Sequence, residues 1–436
     1  MHLMLVPRPV LAELELRLGG PTRGLRVVEV PVDLDPLDLV RSGAAAFGFA
    51  AFFASPEGRE IGAIGAARRF TGSGPQRLVE VDRSIAEFDP SVPILVGFAF
   101  SDDDPPARGW AGFPAAAAIV PEVAVVRVGG RGRLVVAVPP GSDGGAVLDL
   151  LSGLERPGAI LDAGDSDEGV EARPPAADYV GAVDEAVSAI RSGAVSKVVL
   201  ARSVVVRRSL PIDAFGVVAR LRDAHPSSWV FGWQEGEATL VGASPELLVA
   251  RSGDHVHLSP LAGSAPRSLD PEQDRRIGES LLASAKDRAE HEMVVVDALD
   301  RLAPLVAGLH RSPTPQLDRF PTVQHLATPI TGTSAARLLE LAGALHPTAA
   351  VGGFPRGAAI RLIGELEQIE RGWYAGGIGW TDATGDGEIA VTLRCALVRG
   401  EVAVAYAGCG IVADSLPAAE LEETRLKLRP MLEVLS

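Results

Sequence analysis

The order of strand-like and helix-like segments is the feature that most limits how this 436-residue chain can fold. Runs rich in Val, Ile and aromatic residues predict strands, whereas apolar residues three or four positions apart predict helices. The strand-like runs come in clusters separated by helices, without the regular strand–helix alternation that a parallel sheet requires. We therefore expect an α+β fold with large antiparallel β-sheets packed together and flanked by helices, in a single large domain.

The patterns are weaker in the first 170 residues than in the rest of the chain. Residues 1–170 are rich in Gly, Ala and Pro, and residues 141–177 combine turn formers with acidic residues, which predicts a connector. From Asp178 onward the signals are regular. The predicted strands are 25–32, 93–100, 133–138, 197–206, 229–233, 239–242, 389–396 and 401–406, and the predicted helices are 179–190, 214–222, 287–305, 335–345, 356–371 (with Pro355 as a first-turn residue) and 418–434.

Composition excludes several classes of protein. The 41 Lys+Arg and 56 Asp+Glu give a net charge of −15, which argues against a general nucleic-acid binder. No apolar run free of charges is long enough to predict a membrane span, and charges near the N-terminus come too early for a signal peptide. The only two cysteines, Cys395 and Cys409, cannot form a disulfide framework. We expect a cytoplasmic protein.

Lysine is scarce in this chain. Of the 41 basic residues only Lys197, Lys286 and Lys427 are lysines, and asparagine is absent. A GC-rich genome explains both counts. Under such a bias arginine serves wherever a plain surface cation suffices, so the remaining lysines are enriched for sites that need an ammonium able to lose its proton.

Two segments contain acidic candidates for a metal site. In the last predicted helix Glu420 and Glu423 share a face, which Lys427 continues, and a pair of carboxylates suits Mg²⁺. The same acids could instead complement the positive end of the helix dipole. Glu290, beside His291 on another predicted helix, is either a further metal carboxylate or part of a solvated helix face.

Lys197 and Glu246 are the candidates for acid–base chemistry. Lys197 begins a hydrophobic strand, so it is either a base in a partly dry pocket or an edge lysine that blunts strand pairing. Glu246 follows a strand and a turn in GASPELL, where it could be a general acid or the first residue of a helix. Ser244 is followed by Pro, so the segment does not fit a serine-hydrolase elbow. No Walker loop, dinucleotide fingerprint or zinc-ligand spacing is found.

Nine ordered blocks of the chain, between Tyr179 and Leu432, resemble the chorismate-utilising enzymes. This family includes isochorismate, anthranilate, aminodeoxychorismate and salicylate synthases. The first 170 residues match it only loosely. The blocks are SKVVLAR (196–202), GASPELL (242–248), LAGSAPR (261–267), DRAEHEMVVVD (287–297), TVQHLATPITG (322–332), LHPTAAVGGFPR (345–356), ERGWYAGGIGW (370–380), VTLRCA (391–396) and AGCGIVADSLPAAELEETRLKL (407–428).

The resemblance implies an α/β/β/α chorismate-binding fold, with residues 1–170 as the variable part of the sheet scaffold and 171–436 as the catalytic region. It implies a Mg²⁺ site formed by Glu290, Glu420 and Glu423, which would hold the ring carboxylate of chorismate. The substrate-binding positions that it implies are Gly263, Ser264, His325, Ala350, Arg394, Gly408 and Lys427, of which Arg394 and Lys427 would bind carboxylates.

The position of Lys197 separates members of the family that activate water from those that use ammonia. Isochorismate and salicylate synthases have lysine there, whereas anthranilate synthases typically have glutamine. Ala262 stands where aminodeoxychorismate synthases have a nucleophilic lysine. The resemblance therefore favours an isochorismate synthase with Lys197 as general base and Glu246 as general acid. We expect a monomer with no obligatory glutaminase subunit. A salicylate synthase, an aminating synthase or a catalytically silent binding module remain the alternatives.

Overall fold

A computed structural model describes residues 4–20, 24–105, 107–142, 144–158 and 169–435. Within these ranges the chain forms twelve helices and twenty-four strands. The helices are α1 (Arg8–Leu18), α2 (Pro36–Phe47), α3 (Arg77–Ile85), α4 (Ala107–Trp110), α5 (Gly145–Gly153), α6 (Ala176–Arg191), α7 (Ala214–Ala224), α8 (Pro271–Ala283), α9 (Ala285–Leu302), α10 (Leu338–Leu345), α11 (Arg356–Leu366) and α12 (Pro417–Leu435). None of these described helices is both long and apolar enough to cross a lipid bilayer.

The strands form three sheets in which every described pairing is antiparallel. The first twelve are β1 (Arg26–Pro31), β2 (Phe49–Ala54), β3 (Arg59–Ile64), β4 (Arg68–Gly72), β5 (Ile94–Phe98), β6 (Ala116–Val120), β7 (Val123–Val128), β8 (Arg131–Val138), β9 (Gly169–Arg173), β10 (Lys197–Arg207), β11 (Trp229–Glu235) and β12 (Ala238–Ser244). The others are β13 (Leu247–Ser252), β14 (His255–Leu258), β15 (Leu261–Pro266), β16 (Ala307–Arg311), β17 (Gln316–Arg319), β18 (Val323–Ala327), β19 (Ile330–Thr333), β20 (Gly353–Phe354), β21 (Gly377–Thr381), β22 (Gly387–Val391), β23 (Cys395–Arg399) and β24 (Val402–Ile411).

The predicted fold class is confirmed. A twelve-stranded sheet has the order β1-β8-β7-β3-β2-β11-β12-β23-β24-β10-β20, with β9 also paired to β10. A nine-stranded sheet has the order β16-β19-β14-β13-β22-β21-β5-β6-β4, and β15, β18 and β17 form a three-stranded sheet. Strands from the first 170 residues pair directly with later ones, since β2 lies beside β11 and β5 beside β21.

Strand β2 shows how the layers are held together. Its side chains alternate between the two faces of the sheet, and both faces are buried. Phe49, Ala51 and Phe53 belong to the core shared with the nine-stranded sheet. Phe52 and its even-numbered neighbours belong to a second core, under α1, α2, α7 and α12. Burial on both faces explains why such strands read as continuous apolar runs rather than alternating ones.

The predicted strand 389–396 is wrong in an informative way. It is two strands of different sheets, because β22 lies in the nine-stranded sheet and β23 in the twelve-stranded one. The chain crosses between the sheets at Thr392–Arg394, and Arg394 has a φ of 47°. Apolar residues continue on both sides of the crossing, so hydrophobic periodicity gives no sign of it.

Other predicted bounds need smaller corrections. The helix expected at 356–371 ends at Leu366, and Pro355 precedes this helix as its N-cap residue. The connector expected at 141–177 contains α5 and β9, although its residues 143 and 159–168 lie outside the described part. The described Gly and Pro residues of this segment therefore lie beside or at the ends of a helix and a strand instead of forming one continuous connector. The division of the chain at residue 170 stays a prediction.

Candidate active site

The sequence-predicted site residues come together around one cleft with about 930 Å³ of empty space, part of it open to solvent. All twelve line it, although they are spread over more than 230 positions of the chain. They are Lys197 of β10, Glu246 after β12, Gly263 and Ser264 of β15, Glu290 of α9, His325 of β18, Ala350 before β20, Arg394 between β22 and β23, Gly408 of β24, and Glu420, Glu423 and Lys427 of α12.

Lys197 is a buried residue of the cleft wall. Its Nζ atom is 3.0 Å from Oε1 of Glu290, and its side chain is 1% exposed. The strand-edge alternative for Lys197 is therefore wrong, since the ammonium faces a carboxylate inside the protein. Gly410 on the neighbouring strand β24 provides the space. A β-carbon there would lie 2.5 Å from Oε1 of Glu290 and 2.8 Å from Cε of Lys197.

Glu246 is a buried carboxyl group on the same cleft. Burial raises its pKa to about 8, although the charges of Lys197 and Lys427 and a backbone hydrogen bond at Leu261 act in the opposite direction. The group is therefore largely protonated at neutral pH and can donate a proton. Ser244 holds the turn before it, because the Glu246 N–H donates to the Ser244 hydroxyl over 3.2 Å. Ser244 is fully buried, as expected of a structural residue rather than a nucleophile.

Glu420 and Glu423 form an acidic group with Cys409. Their potential ligand atoms lie within 4.8 Å of one another. Burial raises the pKa of Glu420, and the charge of Glu423 raises it further. Burial would also raise the pKa of Glu423, but Lys427 outweighs it and lowers that pKa. The Cys409 thiol has a pKa well above its usual value, mainly through burial, so it stays protonated and leaves oxygen atoms as the available donors.

Glu290 is not part of that group of three. Its carboxylate pairs with Lys197, as described above, but Glu290 is close enough to Glu420 for its charge to raise the pKa of that carboxyl. Lys286, in the first turn of α9, reaches to 4.0 Å from Oε1 of Glu420 and is 45% exposed. Glu290, Glu420 and Glu423 thus form an acidic wall of the cleft, with the buried ammonium of Lys197 and the partly exposed ammonium of Lys286 beside it.

Two further cationic groups line the cleft, Lys427 and Arg394. Lys427 pairs with Glu423 over 2.6 Å and donates to the Gly408 carbonyl over 3.0 Å. Burial would lower the pKa of Lys427, but Glu423 reverses the effect and raises it above its usual value. Arg394, held at the crossing between the two large sheets, has its pKa lowered mainly by burial. Even a lowered arginine pKa leaves the guanidinium charged, so both groups can bind carboxylates.

His325 provides a neutral polar group. Burial lowers its pKa to about 3, with the charges of Arg394 and Lys427 acting in the same direction. Its Nδ1 lies 2.9 Å from Oγ of Ser264 and 3.3 Å from the Gly263 carbonyl oxygen. Its buried Nε2 has no hydrogen-bond partner within the described residues, so it is available to a bound molecule. Gly263 has a φ of +74°, which favours glycine in this strand.

Several residues of the cleft have no site role that the sequence motifs predict. Tyr374 and Tyr406 line it as a stacked pair with ring centroids 5.2 Å apart. Lys286 lines it too, so all three lysines of the chain face one cleft. The scarcity of lysine was the available signal for Lys286. Cys409 and Tyr374 fall inside the resembling blocks and Tyr406 directly precedes one, but their residue types alone do not distinguish a cleft from a core.

Comparisons with known proteins agree with this geometry. The family model for chorismate binding enzymes matches residues 22–436, and so extends well before the first of the nine blocks. The salicylate biosynthesis isochorismate synthase of Pseudomonas aeruginosa is 36% identical over 392 residues, covering 86% of this chain and 82% of that protein. The isochorismate synthase MenF of Bacillus subtilis is 35% identical over 430 residues, covering 92% and 91% respectively.

A solved structure is also similar along nearly the whole chain. The menaquinone-specific isochorismate synthase MenF of Escherichia coli superposes with a TM-score of 0.87 at 26% identity, covering 98% of this chain and 99% of that one. The shared fold, the matching family model and the assembled cleft lead to the same conclusion. The chain belongs to the chorismate-binding enzyme family.

Proposed function

We propose that this chain is an isochorismate synthase, an isomerase that adds water at C2 of chorismate and removes the C4 hydroxyl. One observation carries the proposal: a candidate base and a candidate acid line the same cleft. The base is the buried Lys197, and the acid is Glu246, a carboxyl group nearby that keeps its proton at neutral pH. The relatives that bear this activity in their names, from P. aeruginosa and B. subtilis, support it.

The charges of the cleft suit a small dianion. Chorismate has two carboxylates, and Arg394 and Lys427 supply two cationic groups for them. The unpartnered Nε2 of His325 is free to bond a hydroxyl group. The small residues Gly263, Ala350 and Gly408 leave room for a ring. We assign these residues, with Ser264, to substrate binding.

The acidic wall fits a magnesium ion. Three carboxylates crowd one side of the cleft, and burial and mutual repulsion raise the pKa of Glu420, so a hard divalent cation would relieve an unfavourable concentration of charge. We assign Glu290, Glu420 and Glu423 to holding Mg²⁺. When bound, the ion would neutralise and orient the ring carboxylate of the substrate.

Lys197 and Glu246 carry the proton transfers. The reaction requires Lys197 to give up its ammonium proton first. The amine then removes a proton from the water that attacks C2, and protonated Glu246 donates one to the departing C4 hydroxyl as the ring double bonds shift. One water enters and one leaves, so the net reaction is an isomerisation. Glu290 is both the ion-pair partner of Lys197 and a proposed metal ligand. Binding of the metal ion and the protonation of Lys197 would therefore both involve the Glu290 carboxylate.

The rest of the proposal concerns organisation and setting. Residues 171–436 supply every residue assigned to the reaction, and we assign residues 1–170 to the sheet scaffold. We further propose a monomer that needs no glutaminase subunit and acts in the cytoplasm. Cys395 and Cys409 are both buried and free, in keeping with a reducing compartment.

Product analysis by chromatography tests the function directly. Purified protein is incubated with chorismate and Mg²⁺, with and without ammonium ions, and a matched sample contains a chelator. We expect isochorismate alone, unaffected by ammonium and lost on chelation. Salicylate plus pyruvate would instead identify a salicylate synthase, and an aminated product would contradict the role given to Lys197.

A further inference from the structure

The edge of strand β10 next to the cleft is incompletely paired. On one side β10 pairs with β24 from Val198 to Arg207. On the other side β20 covers only Lys197 and Val198, and β9 covers Ser203–Arg207. Residues Val199–Arg202 therefore have no strand partner on this edge among the described residues. Backbone groups buried in such a gap are costly unless something else bonds them.

Two side chains fill this gap. The Glu367 carboxylate accepts from the Ala201 N–H over 2.7 Å, and Nη2 of Arg371 donates to the Val199 carbonyl over 2.9 Å. The Val199 N–H is satisfied by the Gly352 carbonyl, also at 2.9 Å. Glu367 and Arg371 thus bond the backbone of β10 where a neighbouring strand would otherwise do so.

Glu367 and Arg371 also fix each other. Nε of Arg371 donates to Oε2 of Glu367 over 2.8 Å, Nη2 bonds Oε1, and each side chain is 4% exposed. The guanidinium lies 4.1 Å above the ring of Phe100, which limits its movement on that side. A planar guanidinium with several donors can serve these partners together, which an ammonium cannot.

The same guanidinium reaches a third segment. Nη1 of Arg371 donates to the Val351 carbonyl over 2.8 Å. Val351 and its neighbour Ala350 line the cleft, as does Val199, which lies two residues from Lys197 and on the same face of β10. One buried ion pair therefore joins the strand that presents Lys197 to the neighbouring loop, whose residues Ala350 and Val351 also line the cleft.

We propose that Glu367 and Arg371 are positioning residues for the reaction, which set the place of Lys197 relative to the Ala350–Val351 wall. Neither acts on the substrate, and the inference rests on the proposed function of Lys197. Misplacing a reacting group by about 1 Å can cost on the order of 100-fold in rate, so a small shift of β10 is expected to lower kcat.

The test compares two variants with a matched control. Arg371→Lys keeps the charge but cannot serve both carbonyls and the carboxylate, and Glu367→Gln keeps an acceptor for Ala201 while losing the charge. The control is Arg337→Lys, because Arg337 also pairs with a buried acid, Asp82 (2.6 Å), and with a backbone carbonyl, but lines no part of the cleft. For each protein we would measure kcat and KM for isochorismate formation and amide hydrogen exchange.

We expect Arg371→Lys to lower kcat by on the order of 100-fold with little change in KM, and Glu367→Gln to have a smaller effect of the same kind. Amide exchange at Val199 and Ala201 becomes faster in both variants and is unchanged in the control, whose kcat stays normal. A folded Arg371→Lys protein with full kcat, or with reduced kcat but unaltered exchange at these amides, overturns the proposal. If Arg371→Lys does not fold, Glu367→Gln decides by the same criteria.

Failure of the proposed function gives a different result. A wild-type protein that forms no isochorismate contradicts that function. The exchange rates at Val199 and Ala201 still report whether the ion pair holds β10, and unchanged rates in both variants would reject the inference separately.

Discussion

Two lysine–glutamate pairs line the cleft, and they are built differently. Lys427 and Glu423 lie four residues apart on α12 and make a 2.6 Å ion pair at the partly exposed wall. Lys197 and Glu290 come from β10 and α9, 93 positions apart in the chain, and make a 3.0 Å pair with the lysine 1% exposed. The first pair follows from helix geometry, whereas the second exists only in the folded protein.

The difference between the pairs matches the chemistry proposed for each. Lys427 has a second acceptor in the Gly408 carbonyl and a raised pKa, which suits a permanent cation for binding a carboxylate. Lys197 is instead held by a carboxylate that is itself a candidate metal ligand. The pair within α12 keeps Lys427 charged, which suits the binding of a carboxylate. The partner of Lys197 is also a proposed metal ligand, so metal binding can change the interaction that holds the proton on Lys197.

The largest effect is expected from removing the base. Lys197→Gln should lower kcat for isochorismate formation by about 10²–10⁴-fold, because general-base assistance is lost. Steady-state kinetics with chorismate and Mg²⁺ measure this. Arg207→Gln is a suitable control, since Arg207 is exposed at the far end of β10. If Lys197→Gln formed isochorismate at the wild-type rate, Lys197 would not be the general base, and the two pairs would not differ in their chemical roles.

A smaller effect, of another kind, is expected from the other pair. Lys427→Gln should raise KM for chorismate by roughly 10- to 100-fold, the value of a hydrogen bond to a charged group, and change kcat less. Arg429→Gln on the same helix is the matched control, because Arg429 makes an exposed ion pair with Glu433 at the same spacing. If Lys427→Gln lowers kcat and leaves KM unchanged, Lys427 takes part in the chemical step.

A third effect concerns the pH dependence of stability, at the carboxyl group near both lysines. The folded-state pKa of Glu246, about 8, lies above its ordinary value of 4.5, so the folded protein keeps a proton that the unfolded chain releases. Stability therefore falls as pH rises from about 4.5 to 8. Glu246→Gln removes this penalty and should stabilise the fold by on the order of a few kcal/mol at pH 8 and little at pH 5.

Urea unfolding of the wild-type and Glu246→Gln proteins at both pH values measures that difference. An equal difference at pH 5 and pH 8 would mean that Glu246 is ionised in the folded protein. It would then be unable to serve as the general acid at neutral pH.

Local patterns were sufficient for much of the fold and failed at identifiable places. Strand β10 and helix α6 were predicted nearly to their ends, because apolar spacing and a following Gly193 mark them. The crossing at Arg394 was missed, since a strand that changes sheets keeps the same apolar composition. The C-terminal end of α11 was displaced for a similar reason, because Glu367 and Arg371 have the pattern of ordinary helical residues, whereas its start at Arg356 was predicted correctly.

The candidate site was predictable as a set of residues but not as an arrangement. The motifs named twelve residues that line one cleft, and the count of lysines pointed to a thirteenth, Lys286. Their roles are still proposals. The motifs did not show which of these residues are in contact. Nothing in the order of residues indicates that Glu290 touches Lys197 or that Gly410 makes room for both.

The sequence by itself determined the α+β class, the residue types available for chemistry and the i,i+4 pair on α12. These features depend on composition and on spacings of a few residues. Helix and strand geometry fixes which side chains at such spacings lie on the same face. Only the tertiary structure decided that Glu246 is buried enough to keep its proton, that Lys197 faces Glu290, and that Glu367 and Arg371 complete the edge of β10. Burial and contacts between distant segments depend on how the sheets pack, so no local pattern encodes them.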